Sequence, residues 1–127
     1  GGCNSASTTQ NLAIGTDAAA GASLAGYQNV WLGHSAGSNA RNAFRNTVVG
    51  SSAASSGVFD AIDGVYIGYY AGRNATTPYY NTVIGTSAVG SGVQTGNENV
   101  VIGYQAGNIM TSGYENIFIN HIFGHWG

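Results

Sequence analysis

Apolar residues come in short bursts along this chain, and each burst is framed in the same way. An Asn opens it, three mostly apolar residues follow, a Gly closes it, and an Ala stands three residues later. The copies are Asn11-Leu-Ala-Ile-Gly15, Asn29-Val-Trp-Leu-Gly33, Asn46-Thr-Val-Val-Gly50, Gly64-Val-Tyr-Ile-Gly68, Asn81-Thr-Val-Ile-Gly85 and Asn99-Val-Val-Ile-Gly103. A degenerate seventh copy, Asn116-Ile-Phe-Ile-Asn120, lacks the closing Gly. The closing positions 15, 33, 50, 68, 85, 103 and 120 are spaced 18, 17, 18, 17, 18 and 17 residues apart. A fixed period of this length is the signature of a repeat architecture, in which each unit buries its core face only by stacking on its neighbours.

A second period of 35 residues runs through the first. Gly15, Gly50 and Gly85 are followed by Thr16-Asp17-Ala18, Ser51-Ser52-Ala53 and Thr86-Ser87-Ala88. Gly33, Gly68 and Gly103 are followed by His34-Ser35-Ala36-Gly37, Tyr69-Tyr70-Ala71-Gly72 and Tyr104-Gln105-Ala106-Gly107. The repeats therefore alternate between a small-hydroxyl type and a bulky type.

Val, Ile, Thr, Tyr and Trp suit a pleated surface, so each burst predicts a short strand. Side chains of a strand alternate between two faces. Ile14, Leu32, Val49, Ile67, Ile84, Ile102 and Ile119 share a face with Leu12, Val30, Thr47, Val65, Thr82, Val100 and Ile117. The residue before each closing position is always aliphatic, and that face is the expected core. Ala13, Trp31, Val48, Tyr66, Val83, Val101 and Phe118 point the other way and are apolar too. Their face is expected to be covered by a partner chain or a second layer.

The expected fold is all-β: a parallel β-solenoid, or β-roll, of about seven 17–18-residue repeats over residues 11–120. Residues 1–10 form a lead-in, and 121–127 a cap or the start of a further domain. A coil of 17–18 residues and a coil of 35 both satisfy the periods, the shorter being the usual size. The closing Gly permits a bend, a positive φ or close backbone approach. The opening Asn suits a turn and can stack on the Asn of the next rung. Helical signal is thin.

Composition sharpens this. Of 127 residues, 21 are Gly and only 6% are charged, with a net charge of −2. A disordered segment needs more charge and fewer aromatics, and collagen needs strict Gly spacing and much Pro. Three basic residues do not make a nucleic-acid footprint. No apolar run reaches the length of a membrane span. Strands with so little charge invite pairing, so association is expected.

The phrases Asn81-Thr-Val-Ile-Gly-Thr-Ser-Ala88 and Asn99-Val-Val-Ile-Gly-Tyr-Gln-Ala-Gly107 resemble the head repeats of trimeric autotransporter adhesins. They are equally similar to repeats of phage tail-fibre-like and surface-fibre proteins. The resemblance implies a left-handed parallel β-roll with three chains packed side by side, the apolar second face between subunits. It further implies a structural or adhesive module of an extracellular, cell-surface or virion fibre that binds a cell surface, matrix or glycan, or the shaft or receptor-binding segment of a tail fibre. Adhesin head repeats are shorter than these, and no stalk heptads or anchor accompany them here, so the chain reads as a module of a larger fibre. An ice-binding or surface-adsorbing solenoid is the alternative, motivated by the row Thr16, Ser51 and Thr86.

Candidate chemistry is sparse. Trp31, Tyr66, Tyr69, Tyr70, Tyr79, Tyr80 and Tyr104 are candidates for a ligand or subunit interface, since aromatic rings on a rigid surface stack on sugars or on protein. His121 and His125, four residues apart, are weak metal-ligand candidates, and a surface or capping role is the plainer reading. Asp60 and Asp63 read as turn formers rather than calcium ligands. Gly33-His-Ser-Ala-Gly37 approaches a nucleophile elbow but is explained by its place in the repeat. Cys3, the sole cysteine, has no partner for an intrachain disulfide. Asn74-Ala-Thr76 is a glycosylation sequon. No catalytic set and no cofactor site is expected, and the expected partner is the chain itself.

Overall fold

The computed structural model describes residues 3–6 (backbone alone), 10–21, 26–56, 58–92 and 94–119. Eight strands form one sheet in chain order. They are β1 (Cys3–Ala6), β2 (Asn11–Ile14), β3 (Val30–Leu32), β4 (Thr47–Val49), β5 (Val65–Ile67), β6 (Thr82–Ile84), β7 (Val100–Ile102) and β8 (Ile117–Ile119). Strands β2 to β8 are parallel, and equivalent residues of consecutive repeats face each other, as in Leu12↔Val30 and Val30↔Thr47. One coil is therefore 17–18 residues, and the seven parallel strands make about six turns of a β-solenoid. Strand β1 runs antiparallel to β2 and closes the first edge.

The corner after each strand follows from local chemistry. Gly15, Gly33, Gly50, Gly68, Gly85 and Gly103 lie at φ +129° to +138°. A Cβ on Gly15 would meet the carbonyl carbon of Gly33 at 2.6 Å, and one on Gly68 that of Gly85 at 2.7 Å. Both the backbone angle and the stacking of each pivot on the next demand glycine. The chain then makes a type II turn: the Ala18 N–H donates to the Gly15 carbonyl, with Asp17 at φ +59°. Ser35, Ser52, Tyr70, Ser87 and Gln105 hold the same left-handed place in their own coils.

The strand faces are the reverse of the expectation. Trp31, Val48, Tyr66, Val83 and Val101 are buried to 2% exposure or less, and Ala13 to 4%. Leu12 and Leu32 are each 41% exposed, and the remaining members of their face are half-buried or exposed. The cause is geometric. A coil this short encloses a narrow interior, and a three-residue strand sends one side chain in and two out. The opening Asn has the same parity as the middle residue, so both point inward together. Asn11, Asn29, Asn46, Asn81 and Asn99 are all buried. Phe118 is the exception at 40% exposure, because no coil covers β8 among the described residues.

The buried asparagines form a ladder. The Asn29 N–H and side-chain amide both donate to Asn11 Oδ1, at 2.8 and 3.0 Å, and the Asn46 pair does the same to Asn29 Oδ1, at 2.8 and 3.1 Å. Each Nδ2 also reaches a carbonyl of the following coil, as Asn46 reaches Ala61 at 2.7 Å. Each Asn thus satisfies backbone groups that the turn would otherwise bury unpaired. The ladder is interrupted at Gly64, where an added Cβ would meet the Tyr66 ring at 2.6 Å. The ring fills the missing side chain's place.

The 35-residue alternation is a volume exchange across the core. In bulky coils Trp31 faces Gly37 and Tyr66 faces Gly72, and a Cβ on either glycine would collide with the ring. In small-hydroxyl coils the same two positions are Ala13 with Ala19, Val48 with Ala54 and Val83 with Val89. The two rings are thus paired with no side chain, whereas Ala13–Ala19 sets small against small and Val101 of the third bulky coil also faces a glycine, Gly107. Phe59 fits edge-on between Trp31 and Tyr66, with ring centroids 5.9 and 5.1 Å away.

Candidate binding surface

Each coil presents the same positions outward, so the surface is made of columns of side chains. The broadest is the outer strand face. It carries fourteen side chains in two columns, twelve aliphatic plus Thr47 and Thr82, over seven rungs. At the open end Ile117 and Ile119 are 73% and 68% exposed.

The next column follows the pivots: Thr16, His34, Ser51, Tyr69, Thr86 and Tyr104. Its backbone is ordered by hydrogen bonds between coils, such as Ser52 N–H to the His34 carbonyl and Ser87 N–H to the Tyr69 carbonyl, both 2.8 Å. Tyr69 and Tyr70 stack with centroids 4.0 Å apart, and the Arg73 guanidinium lies 4.5 Å from the centre of the Tyr70 ring. Arg73 Nε also donates to Ser56 Oγ at 2.8 Å, which fixes the outer end of the stack. The Tyr69 hydroxyl is held above its ordinary pKa, first by its hydrogen bond with Tyr70 and then by burial.

A third set lies on the other flank of the strand face, two residues before Asn29, Asn46, Gly64 and Asn81. Tyr27, Phe44, Ile62 and Tyr79 pair in parallel along it. Beside them Arg45 and Asp63 form a two-pronged ion pair, 2.6 Å at Nε–Oδ1 and 2.8 Å at Nη2–Oδ2. The Arg45 hydrogen bond holds the Asp63 carboxyl below the ordinary range against a smaller opposing effect of burial. Asp60 Oδ1 accepts from the Asn42 N–H at 3.0 Å. Both aspartates therefore tie one coil to the one before it.

The aromatic candidates divide on this map. Trp31 and Tyr66 are corrected: they lie inside the coil and cannot reach a ligand or a second chain. Burial raises the Tyr66 hydroxyl pKa far above its ordinary value, and Asn81 draws it partly back without completing a hydrogen bond. Tyr69, Tyr70 and Tyr104 belong to one flank, and Tyr79 and Tyr80 to the other. The alternation with Gly37 and Gly72 was the signal that Trp31 and Tyr66 are core residues. Tyr27, Phe44 and Ile62, which line up with the candidate Tyr79, were missed, because they share only a distance from the next Asn or, for Ile62, from Gly64.

His121 and His125 lie outside the described residues. Among the described residues no group of three or more His, Cys, Asp or Glu is placed to hold a metal ion. Asn74 spends its amide on the Gly90 carbonyl at 3.1 Å, stapling its loop to the next coil. A shallow cleft is lined by Asn11, Ala19, Gly26, Asn29, Trp31 and Ala40 among others, but its two asparagines are already engaged in the ladder. No helix among the described residues is long and apolar enough to cross a membrane.

The fold and its columns define a β-solenoid repeat protein. Comparison with protein-family models, curated proteins and solved structures finds no match.

Proposed function

We propose that this chain is a structural and adhesive module of an extracellular fibre, working as a side-by-side homotrimer that attaches to a cell surface, matrix or glycan. The observation that carries the reading is the aliphatic strand face, continuous over seven rungs and turned outward. Seven rungs extend about 29 Å at the parallel-strand spacing. A contiguous apolar face of that length on so weakly charged a chain favours association. The subunit interface is thus assigned to Leu12, Ile14 and their equivalents, not to the middle residues of the strands. The stiffness of a stacked solenoid suits a load-transmitting fibre.

Light scattering on the purified chain tests the assembly. A mass three times the 12.9 kDa of one chain is expected, and a monomer at every concentration rules the reading out.

A further inference from the structure

The column after the pivots carries a second message. Hydrogen bonds between coils place Thr16, His34, Ser51, Tyr69, Thr86 and Tyr104 on successive rungs of one line. Successive rungs are about 4.8 Å apart. The 35-residue alternation therefore puts a ring (His34, Tyr69, Tyr104) on every second rung, about 9.6 Å apart, with the hydroxyls of Ser51 and Thr86 between them. We propose that this column binds a linear β-1,4-linked polysaccharide of gluco-configured sugars, laid along the solenoid axis.

The match is one of period and of chemistry. In a β-1,4-linked chain each sugar is turned over relative to the last. The same ring face recurs every second sugar, at a spacing close to that of two rungs. One sugar in two would lie against an aromatic ring, and the sugar between would meet a hydroxyl. Tyr69 and Tyr104 are 48% and 55% exposed, and His34 and Thr86 are exposed as well. The Tyr69 ring packs against Tyr70, over whose ring Arg73 lies, so little rotamer freedom is lost on binding. The column contains no carboxylate and no Lys or Arg, which suits a neutral ligand whose binding is insensitive to salt. An α-1,4-linked chain coils and cannot keep this period.

The proposal names a ligand class for the attachment reading above and rests on it. Calorimetry with cellohexaose and chitohexaose, and with maltohexaose as the control, is the test. Both β-linked hexasaccharides, or one of them, should bind, more tightly than the corresponding disaccharide and equally well at low and high salt. Tyr69→Ala and Tyr104→Ala should each raise Kd about tenfold or more. Tyr80→Ala, on the other flank, should leave it unchanged. Circular dichroism confirms that each variant is folded, and Tyr104→Ala tests the column away from the Tyr70–Arg73 stack. No binding to either β-linked hexasaccharide at millimolar ligand overturns the proposal. So does equal binding of maltohexaose, or binding indifferent to both substitutions. Light scattering on the same samples separates the two ideas. A trimer that ignores both glycans defeats this proposal alone, and a monomer that binds them defeats the assembly alone.

Discussion

Replacing Gln94 by leucine should stabilise the protein. Gln94 is fully buried, and neither its side-chain oxygen nor its nitrogen has a hydrogen-bond partner among the described residues. Its backbone carbonyl accepts from the Thr76 N–H at 3.1 Å and from the Thr76 hydroxyl at 3.4 Å. The position is the 35-residue equivalent of Phe59, which fills the core between two aromatic rings. An amide therefore occupies a site that the repeat uses for an apolar side chain. A buried polar group left unpaired costs about 1–3 kcal/mol, and leucine removes that cost at similar volume. We expect Gln94→Leu to gain about 2 kcal/mol, or about 6–10 °C in melting midpoint for a chain of this length. Thermal unfolding followed by circular dichroism, at one fixed protein concentration, measures it; concentration matters because an assembling chain gains stability by mass action. A midpoint that falls refutes the reasoning, since it means that the Gln94 amide is satisfied inside the coil.

Three other substitutions probe the coil. Asn46→Ala strips partners from the Gly64 N–H and the Ala61 carbonyl and should cost about 3 kcal/mol, read as a lower urea midpoint. Gly68→Ala forces a Cβ onto the Gly85 backbone at a φ of +133° and should prevent folding, seen as loss of the β-type spectrum. Tyr66 has a folded pKa raised above the unfolded value of about 10, so the stability it contributes is complete below that pH and lost as pH rises through the folded value. Wild type should lose stability above about pH 10, more steeply than Tyr66→Phe, and equal alkaline slopes would remove burial of the hydroxyl as the cause.

The period of the sequence carried most of the fold. Seven bursts at 17- or 18-residue spacing announced a stack, and the glycine pivots and Asn ladder take the places their chemistry suggested. The direction of the strand faces was not legible from hydrophobicity, because both faces are apolar and a shift of one residue exchanges them. Two marks did encode it. An Asn stacked inside the coil takes the middle residue inward with it, and Trp31 and Tyr66 occur only where glycine stands six residues later, at 37 and 72. The surface was legible in part. Tyr69, Tyr70 and Tyr104 share a flank because they share a repeat position, whereas Tyr79 and Tyr80 belong to a loop whose path sequence spacing does not define.

The central claim is that Val83 faces the core and Ile84 faces outward. Far-ultraviolet circular dichroism of Val83→Asp and Ile84→Asp, measured side by side, tests it most directly. Val83 is fully buried, so an aspartate there places an unpaired charge inside the coil and should abolish the β-type spectrum. Ile84 is half-buried on the outer face, so its aspartate variant should keep that spectrum. An unfolded Ile84→Asp beside a folded Val83→Asp would contradict the account.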